Sequence, residues 1–142
     1  MMIDVLLKSD HSRSGRYGPE EIQSLASGGN LWRVAMRSHV WRPPTDVYET
    51  EKAVVVRVEI AGMREEDFSI SLSGHFLVVR GQRPDVHERR AYHQMEIVFG
   101  DFMSEVELPC EVVAEEVKAE YRMGFLRLEL PKAQPKKIRI ED

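Results

Sequence analysis

The sequence predicts an all-β fold: an antiparallel sandwich, preceded by a short, partly helical arm and followed by a polar tail. Three observations predict it. Between Thr45 and Pro131 apolar and polar residues alternate with period 2 in several short runs. Gly and Pro interrupt those runs at short intervals, as the turns of a sandwich require. Pro43-Pro44 on one side and Pro131 on the other bracket the alternating region, and proline can neither continue a helix nor donate to a strand ladder.

The bulk numbers suit one domain with extensions: residues 1–42 as arm, 43–131 as sandwich and 132–142 as tail. The net charge is -4, unevenly spread. Residues 1–42 carry six Lys/Arg against four Asp/Glu, a net +2; residues 43–142 carry fourteen against twenty, a net -6. No basic face emerges, so nucleic acid is not an expected partner, and +2 is too little to imply membrane binding. Cys110 is the single cysteine. That forbids an intrachain disulfide and suits a reducing, cytoplasmic setting. The opening MMIDVLLKSDHSR lacks the basic and long apolar regions of a signal peptide. No stretch reaches the roughly 20 apolar residues that span a bilayer.

In the arm, Pro19 to Ser27 reads as a short helix. Proline and two glutamates suit its first turn, and Gly28-Gly29 stops it. A second helical turn is expected over Leu31–Met36. Leu31, Trp32, Val34 and Met36 there carry more apolar surface than so short a segment can bury by itself.

After Pro44 come the strands. Thr45–Glu49 is short. Ala53–Ile60 sets Val54, Val56, Val58 and Ile60 on one face. Ala61 to Met63 turns, and Arg64 to Asp67 makes one acidic helical turn. Phe68, Ile70 and Leu72 alternate with three serines. Gly74-His75 turns again, and Leu77 and Val79 begin the next inward set. The connection RPDVHERRAYHQ that follows is far longer than the ~2–5 residues a hairpin needs. It is either a solvated loop or an arm that adds a strand to a second subunit. Phe102–Leu108 alternates before Pro109. Val117–Arg122 and Phe125–Pro131 form the last hairpin, with Gly124 placed where positive φ is needed.

That hairpin carries a resemblance. Its AEYRMGFL, from Ala119 to Leu126, resembles the A-x-x-x-n-G-V-L signature of the small heat-shock protein (Hsp20/α-crystallin) family, with Met123 in place of Asn and Phe125 in place of Val. Other blocks fit in the family's order: Thr45–Glu49, Glu59–Gly62, Leu77–Gly81, then Gly100-Asp-Phe102 followed by Leu108-Pro109. Ser104 replaces a common arginine, Gln82 a glutamate, and Ile97 stands where Glu-Arg follows in the family; those charged positions often support its dimer contacts.

The resemblance implies an immunoglobulin-like sandwich, the α-crystallin domain, and a stress-response chaperone that holds unfolding proteins without ATP. It implies a homo-oligomer built from dimers, with non-native client proteins as partners and no cofactor. The dimer loop would use Val86, Arg89, Arg90 and Tyr92. In the tail, Ile138-Arg-Ile140 resembles the family's I-x-I motif, whose two isoleucines face one way in an extended strand. The motif docks in a neighbour's groove, which residue matching assigns to Ile70, Leu72, Val117 and Ala119. Leu31, Trp32, Val34 and Met36 would meet clients. A second reading is a p23/CS-type cochaperone module; the long connection and the tail pair favour the holdase.

The residues give an enzyme little support. His11, His39, His75, His87 and His93 are scattered without metal-ligand spacing. Cys110 has no identifiable base, and no glycine-rich phosphate cradle occurs. The expectation is no catalysis and no metal.

Overall fold

The computed structural model describes residues 2–7 and 40–134. The expected helical turns at 19–27 and 31–36, the apolar residues Leu31, Trp32, Val34 and Met36, and the tail pair Ile138 and Ile140 lie outside those residues.

Among the described residues nine strands form two facing sheets: β1 (Met2–Ile3), β2 (Val5–Leu7), β3 (Thr45–Glu49), β4 (Ala53–Glu59), β5 (Phe68–Ser73), β6 (Phe76–Arg83), β7 (Gly100–Glu107), β8 (Lys118–Arg122) and β9 (Phe125–Pro131). One sheet has the order β1-β8-β9-β4-β3, the other β2-β5-β6-β7. Between these strands every pairing is antiparallel except β2 on β5; the single-residue bridge of Trp41 to Phe102 is also parallel. Among the described residues there is no α-helix; the acidic stretch after Arg64 is a single 3-10 turn, Glu65–Asp67.

The core follows from the period-2 pattern. In β4 and β9 the inward residues oppose one another directly: Val54 with Leu130, Val56 with Leu128, Val58 with Leu126. All six are fully buried. Ile70, Leu72, Leu77, Val79, Phe102 and Val106 complete the core from the other sheet. Such cross-strand pairs of branched side chains fix the register, since a one-residue slip would turn the whole set to water.

Two features depart from simple alternation. Val55 should face outward, yet it is 1% exposed. Its neighbours across the ladder are Tyr48 and Glu129. Beside them Arg57 lies over the Tyr48 ring and Arg127 pairs with Glu129 at 3.1 Å. Stems of long polar side chains thus cover an outward valine. Ser104 is the one buried polar residue among those described. Its hydroxyl lies 2.8 Å from that of Thr45 in the opposite sheet. Thr45 already gives its proton to the Pro43 carbonyl at 2.9 Å, so Ser104 is the donor. The pair stitches the two sheets at the β3/β7 side.

The β8–β9 hairpin turns through Met123 and Gly124, with φ 53° and 82°. Two central residues at positive φ match the twist of a two-residue hairpin. Glycine does this freely; methionine does it at a cost of ~1–2 kcal/mol.

Tyr121 of β8 secures the turn after β4. Its hydroxyl donates to the Ile60 carbonyl at 2.8 Å and accepts from the Met63 amide at 3.3 Å. Its ring lies 5.1 Å from that of Phe68. Tyr121→Phe keeps the ring and leaves the Ile60 carbonyl unpaired. We expect a loss of about 1–2 kcal/mol of unfolding free energy, measured by urea denaturation. An unchanged midpoint would mean that water replaces the hydroxyl without penalty.

Candidate functional site

The expected groove residues lie along one side of the sandwich, where β5 and β8 face each other. Ile70 and Leu72 point inward from β5, and Ala119 from β8. Val117 precedes β8 and packs against the core half-buried. Sequence reasoning left one neighbour of this groove unread: the segment Met2–Leu7 already runs through it. Met2 and Ile3 pair antiparallel with Glu120 and Ala119. After Asp4 the chain steps to the other sheet, where Val5, Leu6 and Leu7 pair in parallel with Ile70, Ser71 and Leu72. Ile3 is 8% exposed and belongs to the core cluster, against which Val5 packs. Alternation over two or three residues is too short to signal a strand, and the partners are more than sixty positions away.

The connection between β6 and β7 is the second candidate surface. β6 runs to Arg83 and β7 begins at Gly100, so the excursion covers residues 84–99, longer than the sequence pattern indicated. All residues from 84 to 98 are exposed. Val86, Met95 and Ile97 are each about two-thirds exposed, at 69%, 66% and 65%, an unusual density of apolar surface for one loop. Arg90 organises the loop internally. It pairs with Asp85 at 3.1 Å and Glu88 at 3.9 Å, donates to the Val86 carbonyl and stacks on Tyr92. The hydrogen bond to Asp85 holds its pKa above the ordinary arginine value. Val86, Arg90 and Tyr92 therefore form one local unit, while Arg89 is simply exposed. At the loop's end, Arg83 donates to the Val98 carbonyl at 2.8 Å and lies over the rings of Trp41 and Phe99.

Two sheet edges flank these surfaces. The β7 edge carries Trp41, whose amide donates to the Asp101 carbonyl at 3.1 Å and whose carbonyl accepts from the Met103 amide at 3.0 Å. Among the described residues β3 pairs only with β4. Its outer row of backbone groups is available to an added strand.

Cys110 is half-buried and donates weakly to the Glu49 carboxylate at 3.8 Å. Glu49 is in turn paired with Lys132 at 3.1 Å. Among the described residues no three His, Cys, Asp or Glu side chains gather as a metal site, and no helix is long and apolar enough to cross a membrane.

The model of the Hsp20/alpha crystallin family matches residues 46–141. The chain belongs to that family. This Hsp20 chain is 29% identical over 99 residues to small heat shock protein C2 of Rickettsia felis, a match covering 68% of this chain and 64% of that one. It is 33% identical over 99 residues to a 16.9 kDa class I heat shock protein of Triticum aestivum, covering 68% and 66%. The chain thus spans just under two thirds of either relative's length. Heat shock protein 16.0 from Schizosaccharomyces pombe superposes with a TM-score of 0.59 at 26% identity, over 70% of this chain and 98% of that one. These matches do not favour the cochaperone-module reading.

In the Hsp20 frame the departures gain physical meaning. Ser104, where the family often has arginine, faces the sandwich interior and bonds Thr45. Met123, where it often has asparagine, takes the left-handed conformation itself and is 86% exposed.

Proposed function

We propose that this chain is an ATP-independent holdase that captures unfolding proteins and works without catalysis, as a homo-oligomer assembled from dimers in the cytoplasm. The family match along residues 46–141 supports this reading most. The dimer forms when the loop at 84–98, with Val86, Arg89, Arg90 and Tyr92, lies along the β3 edge of a second copy. The exposed apolar loop and the unpaired outer side of β3 support that pairing. Dimers join through Ile138 and Ile140 of the tail, seated against Ile70, Leu72, Val117 and Ala119 of a neighbour. Each buried isoleucine stabilises by ~1.5–3 kcal/mol before ordering costs. Fixing the linker costs ~1–2 kcal/mol per residue. Single tail contacts are therefore reversible, and many together hold the assembly.

Clients bind the arm at Leu31, Trp32, Val34 and Met36. Aromatic rings and flexible thioethers adapt to irregular apolar partners. The domain organisation is arm (1–42), sandwich (43–131) and tail (132–142), with Met2–Leu7 as the part of the arm that packs on the sandwich. The test is light scattering from a heat-labile enzyme warmed with the chain. Protection is expected without nucleotide at near-equimolar ratios, and serine at Leu31, Trp32, Val34 and Met36 should remove most of it. Unprotected aggregation at every temperature would sink the holdase reading.

A further inference from the structure

We propose that Met2–Leu7 and the tail pair Ile138/Ile140 are mutually exclusive occupants of one groove, so that each chain holds its own groove shut until a neighbour's tail displaces the segment. This rests on the tail-docking reading above and adds a competitor to it. The competitor is visible: β1 uses the outer edge of β8, and β2 uses the outer edge of β5. A sheet edge presents a single row of amides and carbonyls, so neither edge accepts a second strand at the same register.

The side chains overlap as well as the ladders. Ile3 and Val5 stand two positions apart and enter the apolar space between the sheets. Ile138 and Ile140 present the same branched shape at the same spacing. Ile3 sits directly across from Ala119, and Val5 from Ile70. Seating a tail there requires that Ile3 and Val5 leave.

The hold of the segment is suited to exchange. Its two strands are two and three residues long, and Met2, Leu6 and Leu7 remain 57%, 63% and 42% exposed. Detachment therefore exposes apolar area mainly at Ile3 and Val5, the two positions that a tail's isoleucines would refill. Residues 8–39 tether it to Val40 and Trp41. A displaced segment stays at an effective concentration on the order of millimolar and returns when the tail departs. A lone tail is thus excluded, while tails gathered in an assembly are not.

The test uses the full chain with Ile138→Ala and Ile140→Ala, so that no resident tail interferes. A labelled peptide of residues 134–142 is titrated and followed by fluorescence anisotropy. Ile3→Asn with Val5→Asn places two amides that the groove cannot satisfy and frees it. The peptide should then bind at least ten times more tightly than to the chain with native Ile3 and Val5. Equal, measurable affinity for both chains would overturn the exclusion and leave tail docking intact. No binding to either chain would overturn tail docking and the competition with it. Hydrogen exchange on the chain with native Ile3 and Val5 gives an independent reading. Saturating peptide should strip protection from the amides of Ile3 to Leu7 and leave those of Val54 to Val58 protected. Protection of Ile3 to Leu7 that survives saturation would also overturn the proposal.

Discussion

Gly81→Ala should lower the unfolding free energy by about 3 kcal/mol or more, the upper end of what overpacking costs. Gly81 lies in β6 between Phe68 of β5 and Phe102 of β7. A Cβ there would come within 2.2 Å of the Asp67 carbonyl oxygen and 2.5 Å of the Phe102 ring. Neither can retreat cheaply. The Asp67 amide donates to the Arg64 carbonyl at 3.0 Å, and its carboxylate accepts from the Arg64 amide at 2.8 Å. Phe102 is 2% exposed and packed by the Trp41 and Phe68 rings. Against a domain stability of ~5–15 kcal/mol, the melting temperature should fall by on the order of 10–20 °C. Gly100→Ala is the control. Gly100 has φ 92° but nothing within 4 Å of its Cβ position, so that variant carries backbone strain alone, ~1–3 kcal/mol. Equal melting temperatures for the two variants would show that the slot over Phe102 has room to open.

If the proposed dimer forms through this loop, replacing residues 84–99 by Asn-Gly should yield a monomer while leaving the sandwich folded. The geometry permits the graft, because Arg83 and Gly100 already sit opposite each other at the end of the β6–β7 ladder. Asn-Gly is the sequence that a two-residue turn favours. The core draws nothing from the removed loop. What is lost is the apolar surface of Val86, Tyr92, Met95 and Ile97 and, in the proposed dimer, the segment laid along a neighbour's β3. Sedimentation velocity should report the mass of one chain at concentrations where the intact protein is at least dimeric, and circular dichroism should be unchanged. A shortened chain that still dimerises would place the contact on another edge and remove the loop from the dimer model.

The sandwich was legible where each strand carries its own evidence. Val54, Val56 and Val58 alternate over enough residues to declare a buried face, and Leu126, Leu128 and Leu130 do the same after a glycine that must turn. Signals failed where burial depends on distant partners. Val55 is covered by stems from Tyr48 and neighbouring charged residues, which a pattern along one strand cannot show. Ser104 reads as an outlying polar residue until Thr45 is seen across the sheets. β1 and β2 were hardest. They are too short for periodicity, they change sheets at Asp4, and one of them pairs in parallel. The expected groove residues Ile70, Leu72 and Ala119 came from family likeness; the packing of Met2–Leu7 beside them rests on partners 65 to 118 positions away, which no local pattern announces.

The position of β1 and β2 also sets an order of events at the ribosome. Ile3 is made 116 residues before its partner Ala119. At ~5–20 residues per second, the segment waits on the order of ten seconds for the edge of β8 to exist. Val5, Leu6 and Leu7 wait a shorter time, for Ile70 to Leu72 of β5, and until those edges exist a short β-prone apolar run is a site where nascent chains adhere to one another. Asp4 interrupts the run with a charge, in the manner of a gatekeeper residue. In the folded chain Asp4 stands where the strand crosses between sheets and is exposed, so the charge that protects the waiting segment is never buried when the segment finally docks.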